Sequence, residues 1–153
     1  MMPAPLQFGE AAPGVTYRDR PAVFGVAIRD GLVALVRVTK PGHAPWIDLP
    51  GGALEAGEDD VQALAREFGE ETGLVVQAGR GLGRADQRFR LTDGEPVNNR
   101  SGLYVAEIEG EDASLKVEDD HELVWIEPAE AVRGLRHDSH AWAVASWMRQ
   151  QTA

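Results

Sequence analysis

The 153-residue sequence contains no cysteine. Disulfides, thiolate metal sites and cysteine nucleophiles are therefore excluded, and any bound metal must be held by oxygen or imidazole. Long apolar runs are also missing, and none approaches the length needed to span a bilayer. The opening "MMPAPLQFGEAAPG" has neither the basic region nor the apolar stretch of a secretory leader. Its proline, alanine and glycine predict a loosely ordered arm over residues 1–20, and a cytoplasmic location is expected. Basic residues are scarce: 15 Lys and Arg face 25 acidic residues, for a net charge of −10. That balance excludes a surface that coats a nucleic-acid polymer. It does not exclude a small phosphorylated ligand, because divalent cations can bridge acidic side chains and an anionic ligand. Repeats and low-complexity tracts are absent, so residues 21–153 are expected to form one domain.

What is present reads as alternating strands and helices. In "AVFGVAIRDGLVALVRV" (22–38), two β-branched runs flank Asp30-Gly31, a hairpin signal. "TKPGHAPWIDLPGG" is a loop punctuated by proline and glycine. "LVVQAGRGLGRADQRFRL" predicts an irregular strand broken by glycines, "TDGEPVNN" a loop, and "SGLYVAEIEG" a strand. A polar loop, the short strand "LVWIE", a brief helix opened by Pro128 and a last helix over "HDSHAWAVASWMRQQ" complete the chain. This order lacks a simple βαβ rhythm and favours a mixed sheet flanked by helices.

Between Glu55 and Glu71 lie seven carboxylates with only Arg66 to offset them. A helix is predicted from Asp59 or Asp60 to Thr72. Asp59 and Gln62 have the spacing of a capping box, and Gly73 suits the left-handed residue after the last turn. Val61, Leu64, Ala65 and Phe68 share the predicted core stripe. Glu67, Glu70 and Glu71 sit at i, i+3 and i+4, so their carboxylates gather on a neighbouring face and repel one another. A solvated acidic face explains a lone cluster of this kind. The surrounding residues go further: Gly52, Glu58, Arg66, Glu67, Phe68, Glu70, Glu71, Gly73 and Leu74 spell G-x5-E-x7-R-E-U-x-E-E-x-G-U, with U apolar.

In that pattern, matched at all nine specified positions, the chain resembles the Nudix hydrolases. A looser likeness runs from about Pro21 to about Arg136. The resemblance implies an α/β fold, an α/β/α sandwich around a central mixed β-sheet. It implies a metal-dependent pyrophosphohydrolase that cleaves a diphosphate bond in a nucleoside diphosphate linked to another group, or in a (d)NTP, with Mg2+ or Mn2+. By the same resemblance the catalytic residues are Arg66, Glu67, Glu70 and Glu71. The metal ligands are Glu67, Glu70, Glu71 and the Gly52 carbonyl. Arg66 would orient a glutamate, and Glu58 would brace the loop. Hard cations on carboxylate oxygens suit this reaction because they neutralise the phosphates and activate water.

Residues outside the motif are candidates for the substrate. Trp46 precedes "LPGG" and can stack on a base. Arg84, Arg88 and Arg90 share one face of a predicted strand, opposite Ala85, Phe89 and Leu91, where they can clamp phosphates. Asp119 and Asp120, with Glu118 and Glu122, are candidates for a further carboxylate from the late loop. His121 is read as incidental, and His137 and His140 as capping or surface residues. Marks of the ADP-ribose, dinucleoside polyphosphate, NADH and coenzyme A branches of the family are missing. The expected partner is a small nucleotide-like substrate rather than a polymer or a membrane, and a homodimer is compatible with the sequence. The rival reading is a non-catalytic nucleotide-binding regulatory module, which has no need of all three glutamates. An isopentenyl-diphosphate isomerase-like enzyme shares the fold but usually needs a cysteine.

Overall fold

The computed structural model describes residues 5–151. In chain order its elements are β1 (Leu6–Phe8), β2 (Arg18–Val26), β3 (Ile28–Arg29), β4 (Leu32–Val38), β5 (Trp46–Asp48), β6 (Gly51–Ala53), α1 (Asp60–Thr72), β7 (Leu74–Arg90), β8 (Pro96–Glu111), β9 (His121–Ile126), α2 (Pro128–Gly134) and α3 (Asp138–Gln151). A 3-10 turn spans Ala113–Leu115. One sheet has the order β1-β7-β8-β2-β6, with β1–β7 and β2–β8 parallel and the other pairs antiparallel. In the second sheet β4 pairs with β3, β5 and β9.

The Asp30-Gly31 turn forms, with both residues at positive φ (52° and 77°) as a tight hairpin requires. The incoming strand divides: β2 stays in the larger sheet, and the chain crosses to the smaller one at Ala27, whose carbonyl accepts the Ala34 N–H at 2.9 Å. The expected loose arm is partly strand. Leu6–Phe8 pair with Ala85–Gln87 on the outer edge of β7, and β2 begins at Arg18; residues 1–4 of that arm lie outside the described residues. The "TDGEPVNN" loop is shorter than predicted. Leu91 and Glu95 close the turn, and Pro96–Asn99 already belong to β8. Asn98 and Asn99 are poor strand formers, but partners on both sides outweigh that preference: Asn99 pairs with Gln87 on one side and Arg20 on the other. The glycine-broken strand is real, and β7 shifts register at Val75/Val76, Ala78/Gly81 and Gly81/Gly83.

Strand alternation sorts the core into two layers. Ala22, Phe24, Val26, Val33, Leu35 and Leu103 pack with Ala131 of α2, with Leu135 just after it, and with Ala143 and Val144 of α3. Val23, Ala34 and Ala106 pack with Ala63, Leu64 and Phe68 of α1. Helices thus cover both faces, giving the expected α/β/α arrangement. No helix among the described residues is long and apolar enough to cross a membrane.

α1 carries its predicted caps. Asp59 accepts the Gln62 N–H at 2.9 Å, Gln62 accepts the Asp59 N–H at 3.0 Å, and Gly73 is left-handed at φ 76°. The predicted core stripe shifts by part of a turn. Val61 is 51% exposed and Ala65 is exposed, whereas Ala63, Glu71 and Thr72 are buried. The helix is rotated so that a face bearing Glu71 turns inward, which apolar periodicity cannot reveal. Asp59→Ala is expected to cost about 1 kcal/mol, lowering the melting temperature by about 3 °C. A thermal melt unchanged within a degree would contradict the cap's contribution.

Candidate active site

The tight turn into β6 and the second half of α1 meet in a small space. Gly51 adopts φ 146°, and a β-carbon there would lie 2.1 Å from the Val23 carbonyl oxygen. A β-carbon on Gly52 would come within 2.9 Å of Glu67 Oε1. At Gly51 only glycine fits, because φ is positive and the close atoms include backbone, whereas at Gly52 a β-carbon would displace the Glu67 carboxylate. The missing side chains let Glu67 lie against the Gly52 backbone and let Glu71 Oε1 accept the Gly51 N–H at 3.1 Å. Glu71 is 6% exposed. Burial pushes its carboxyl well above the usual range, and the neighbouring Glu67 charge adds to the effect. Burial also raises Glu67, against the pull of Arg66. Two buried carboxylates this close can both ionise only beside a cation.

Arg66 organises the remaining acids. Its Nε and Nη2 donate to the two Glu58 oxygens at 2.7 and 2.9 Å, a forked pair. Nη1 reaches Glu67 at 3.1 Å and Glu70 at 3.2 Å, and Nη2 the Ala53 carbonyl at 3.2 Å. The Arg66 bond, with the Glu55 N–H bond, holds Glu58 down at about 2. Glu58 is thus a brace, as expected, and Arg66 orients two of the three helix glutamates. The side chains of Glu67, Glu70 and Glu71 are 14%, 31% and 7% exposed. Glu70 is the one open to a ligand. Three carboxylates and the neighbouring glycine backbone make an all-oxygen donor set suited to Mg2+ or Mn2+.

These groups form one wall of a cavity of about 590 Å3. Trp46 also lines it, as expected. Arg84, Arg88 and Arg90 do not. Arg84 lies 3.7 Å from Asp60, Arg88 donates to the Gly9 carbonyl at 3.1 Å, and Arg90 donates to the Gly94 carbonyl at 3.0 Å. The face opposite them, with Phe89 and Leu91, is the one in the cavity. The cavity's cations are instead Arg20, Lys40, Arg66 and Arg136. Arg20 donates to Asn99 Oδ1 at 3.0 Å and has no ion pair among the described residues.

In the late loop, Asp119 is exposed and lies off the cavity, while Glu118 and His121 line it. Asp120 is engaged by Lys40 and by His121 Nδ1 at 2.7 Å, and its carboxyl sits at about 2, chiefly because of Lys40. His121 is not incidental: its Nε2 lies 3.7 Å from Glu71. His137 and His140 are 5% and 1% exposed, buried in the cavity wall rather than on the surface. Burial holds both neutral, with values near 3. The loss of Arg20 and Asn99 from the sequence reading follows from assigning both to irregular segments. Strand alternation had already placed Phe89 opposite the arginines.

A sequence model described as the NUDIX domain matches residues 18–150. An 8-oxo-(d)GTP phosphatase from Mycolicibacterium smegmatis is 34% identical over 116 residues, 76% of this chain and 34% of that protein. This chain therefore spans about a third of that relative's length. A putative 8-oxo-dGTP diphosphatase 2 from Mycobacterium tuberculosis is 34% identical over 110 residues, covering 71% of this chain and 73% of its own. The solved NUDIX hydrolase from Nitrosomonas europaea superposes with a TM-score of 0.74 at 20% identity, over 87% of this chain and 90% of that one. That likeness establishes a shared fold.

The buried pair has a consequence for stability. Because folding raises both carboxyls, their protonated forms favour the fold; this contribution is complete below the unfolded value near 4.3 and is lost as pH rises through the folded values. Between pH 5 and pH 8 the metal-free protein should therefore lose stability. Chelation should lower the melting temperature more at pH 8 than at pH 5, and Glu71→Gln should flatten that difference. An equal effect of chelation at both pH values would contradict the account.

Proposed function

This chain belongs to the NUDIX family, and from that premise we propose a divalent-metal-dependent pyrophosphohydrolase that cleaves a diphosphate bond in a nucleoside diphosphate derivative or a (d)NTP. One observation carries the reading: the Glu67–Glu70–Glu71 cluster, the unpaired Arg20 and the ring of Trp46 line the same cavity. Carboxylates alone would repel a diphosphate. A cation without an ion pair beside them supplies the attraction for phosphate oxygens, and an aromatic wall covers a base.

Glu67, Glu70, Glu71 and the Gly52 carbonyl would hold Mg2+ or Mn2+, which supplies phosphate neutralisation and a more acidic bound water. The chain's own groups do the rest. In the reaction a water oxygen forms a bond to phosphorus while the bridging P–O bond breaks, and the displaced phosphate leaves with the electron pair. The proton lost by water passes to a carboxylate, and Glu70 is the most open of the three. Arg66 holds Glu67 and Glu70 in their orientations through Nη1. Arg20 clamps a phosphate without neutralising the glutamates. The relatives named for 8-oxo-guanine nucleotides support a nucleoside triphosphate as the first substrate to try.

The test is a panel of nucleoside di- and triphosphate derivatives, 8-oxo-dGTP among them, with Mg2+ or Mn2+ and a readout of released phosphate or pyrophosphate. Glu70→Gln should lower kcat by orders of magnitude while the thermal melt stays cooperative. Wild-type turnover in that variant would sink the mechanism. Arg20→Ala should raise KM about tenfold, equivalent to one charge-assisted hydrogen bond, whereas Arg88→Ala should leave KM unchanged. The reverse pattern would return the phosphate clamp to the outer face of β7.

A further inference from the structure

The cavity wall beside Trp46 is a locked plate. Asp48 Oδ2 accepts the Trp46 indole N–H at 3.0 Å and Arg136 Nη2 at 2.7 Å, while Oδ1 accepts Arg136 Nε at 3.1 Å. One carboxylate thus fixes the indole and the guanidinium together. The Arg136 guanidinium carbon lies 4.3 Å from the Trp46 ring centroid and 5.4 Å from that of Phe89. The Arg136 N–H donates to the Ile47 carbonyl at 2.9 Å, anchoring the short α2–α3 connection on β5. A guanidinium has five N–H groups. Two of its three nitrogens face Asp48, and Nη1 has no hydrogen-bond partner among the described residues.

Two further polar groups lining the cavity, His140 and Asn99, also present donors. His140 Nδ1 accepts the Leu49 N–H at 3.1 Å, so the neutral ring carries its proton on Nε2. Asn99 turns its Oδ1 to Arg20, which leaves its NH2 as the free end. Asp48, the acceptor here, already takes three N–H groups. Asp93 stands at the exposed rim, where Oδ1 accepts the Glu95 N–H at 2.9 Å.

A donor-rich edge flanked by aromatic faces suits a ring that presents acceptors. Guanine offers O6 and N7 to arginine, whereas adenine places an N6 amino donor beside N7. We propose that Arg136, held over the Trp46 ring by Asp48, is the residue that selects the base, favouring 6-oxopurine nucleotides over adenine nucleotides. This rests on the assignment of the cavity as a nucleotide site and says which base it takes. The plate needs a planar cation: lysine keeps the charge but loses the fork and the stacking.

The experiment measures equilibrium binding of GDP and ADP with Mg2+, beside kcat/KM for GTP and ATP, in wild type, Arg136→Lys and Arg136→Gln. Wild type should favour the guanine partner about tenfold or more, by the usual discrimination of one arginine–guanine contact. Both variants should bring the ratio near one, mainly through weaker guanine binding, with adenine binding little changed. Guanine-selective binding without hydrolysis would overturn the proposed activity and leave this inference standing. Equal wild-type affinities for GDP and ADP would overturn it. So would an unchanged ratio in Arg136→Lys accompanied by a lower melting temperature, which would make Arg136 a purely structural residue.

Discussion

The close approach of α1 to the glycine turn before β6 is the constraint from which the site follows. Glu67 lies where a Gly52 side chain would be, and Glu71 is tied to the Gly51 amide. A β-carbon at Gly51 would collide with the Val23 carbonyl, and one at Gly52 would displace the Glu67 carboxylate from the turn. The remainder of the helix is held to suit. Leu64 and Phe68 pack into the sheet beneath it, and the Glu70 carbonyl accepts the Val117 and Glu118 N–H groups of the late loop at 2.9 and 3.0 Å. Helix, glycine turn and late loop are therefore tied together by direct hydrogen bonds.

Charge is used in two ways around these segments. Arg66 with Glu58, Lys40 with Asp120, and Arg136 with Asp48 are pairs that set shape. Lys40 and Asp120 are 80 positions apart and Arg136 and Asp48 are 88 apart, whereas Arg66 and Glu58 are separated by only 8. Two features are left uncompensated: the Glu67–Glu71 pair, which is crowded with negative charge, and Arg20, which has no ion pair among the described residues. An anionic ligand bridged by cations would satisfy both at once.

Legibility differed by residue for physical reasons. The capped α1, the Asp30-Gly31 hairpin and the broken β7 rest on local chemistry, and all three are present. The E-x-x-E-E spacing places its carboxylates on one helix face by helical geometry alone. The rotation of that face was not legible, because it depends on what α1 packs against; Val61 is exposed and Glu71 buried as a result. Arginine on β7 looked like a phosphate clamp, yet the parallel pairing of β1 along the strand's outer edge and the turn at Gly94 occupy two of those side chains.

The sequence by itself determined the cluster of three glutamates, the capped helix that carries it and the glycine turn beside it. The glutamate cluster and the caps depend on residue type and on spacings within one helix, and Gly52 stands in the one motif that runs to Leu74. Tertiary structure alone decided which cations face the glutamates and which rings wall the cavity. Arg20, Asn99 and Phe89 meet through pairing across β2, β8 and β7. Arg136 reaches Asp48 across 88 positions of chain. Contacts of that span depend on sheet order and strand register, and no local pattern encodes either.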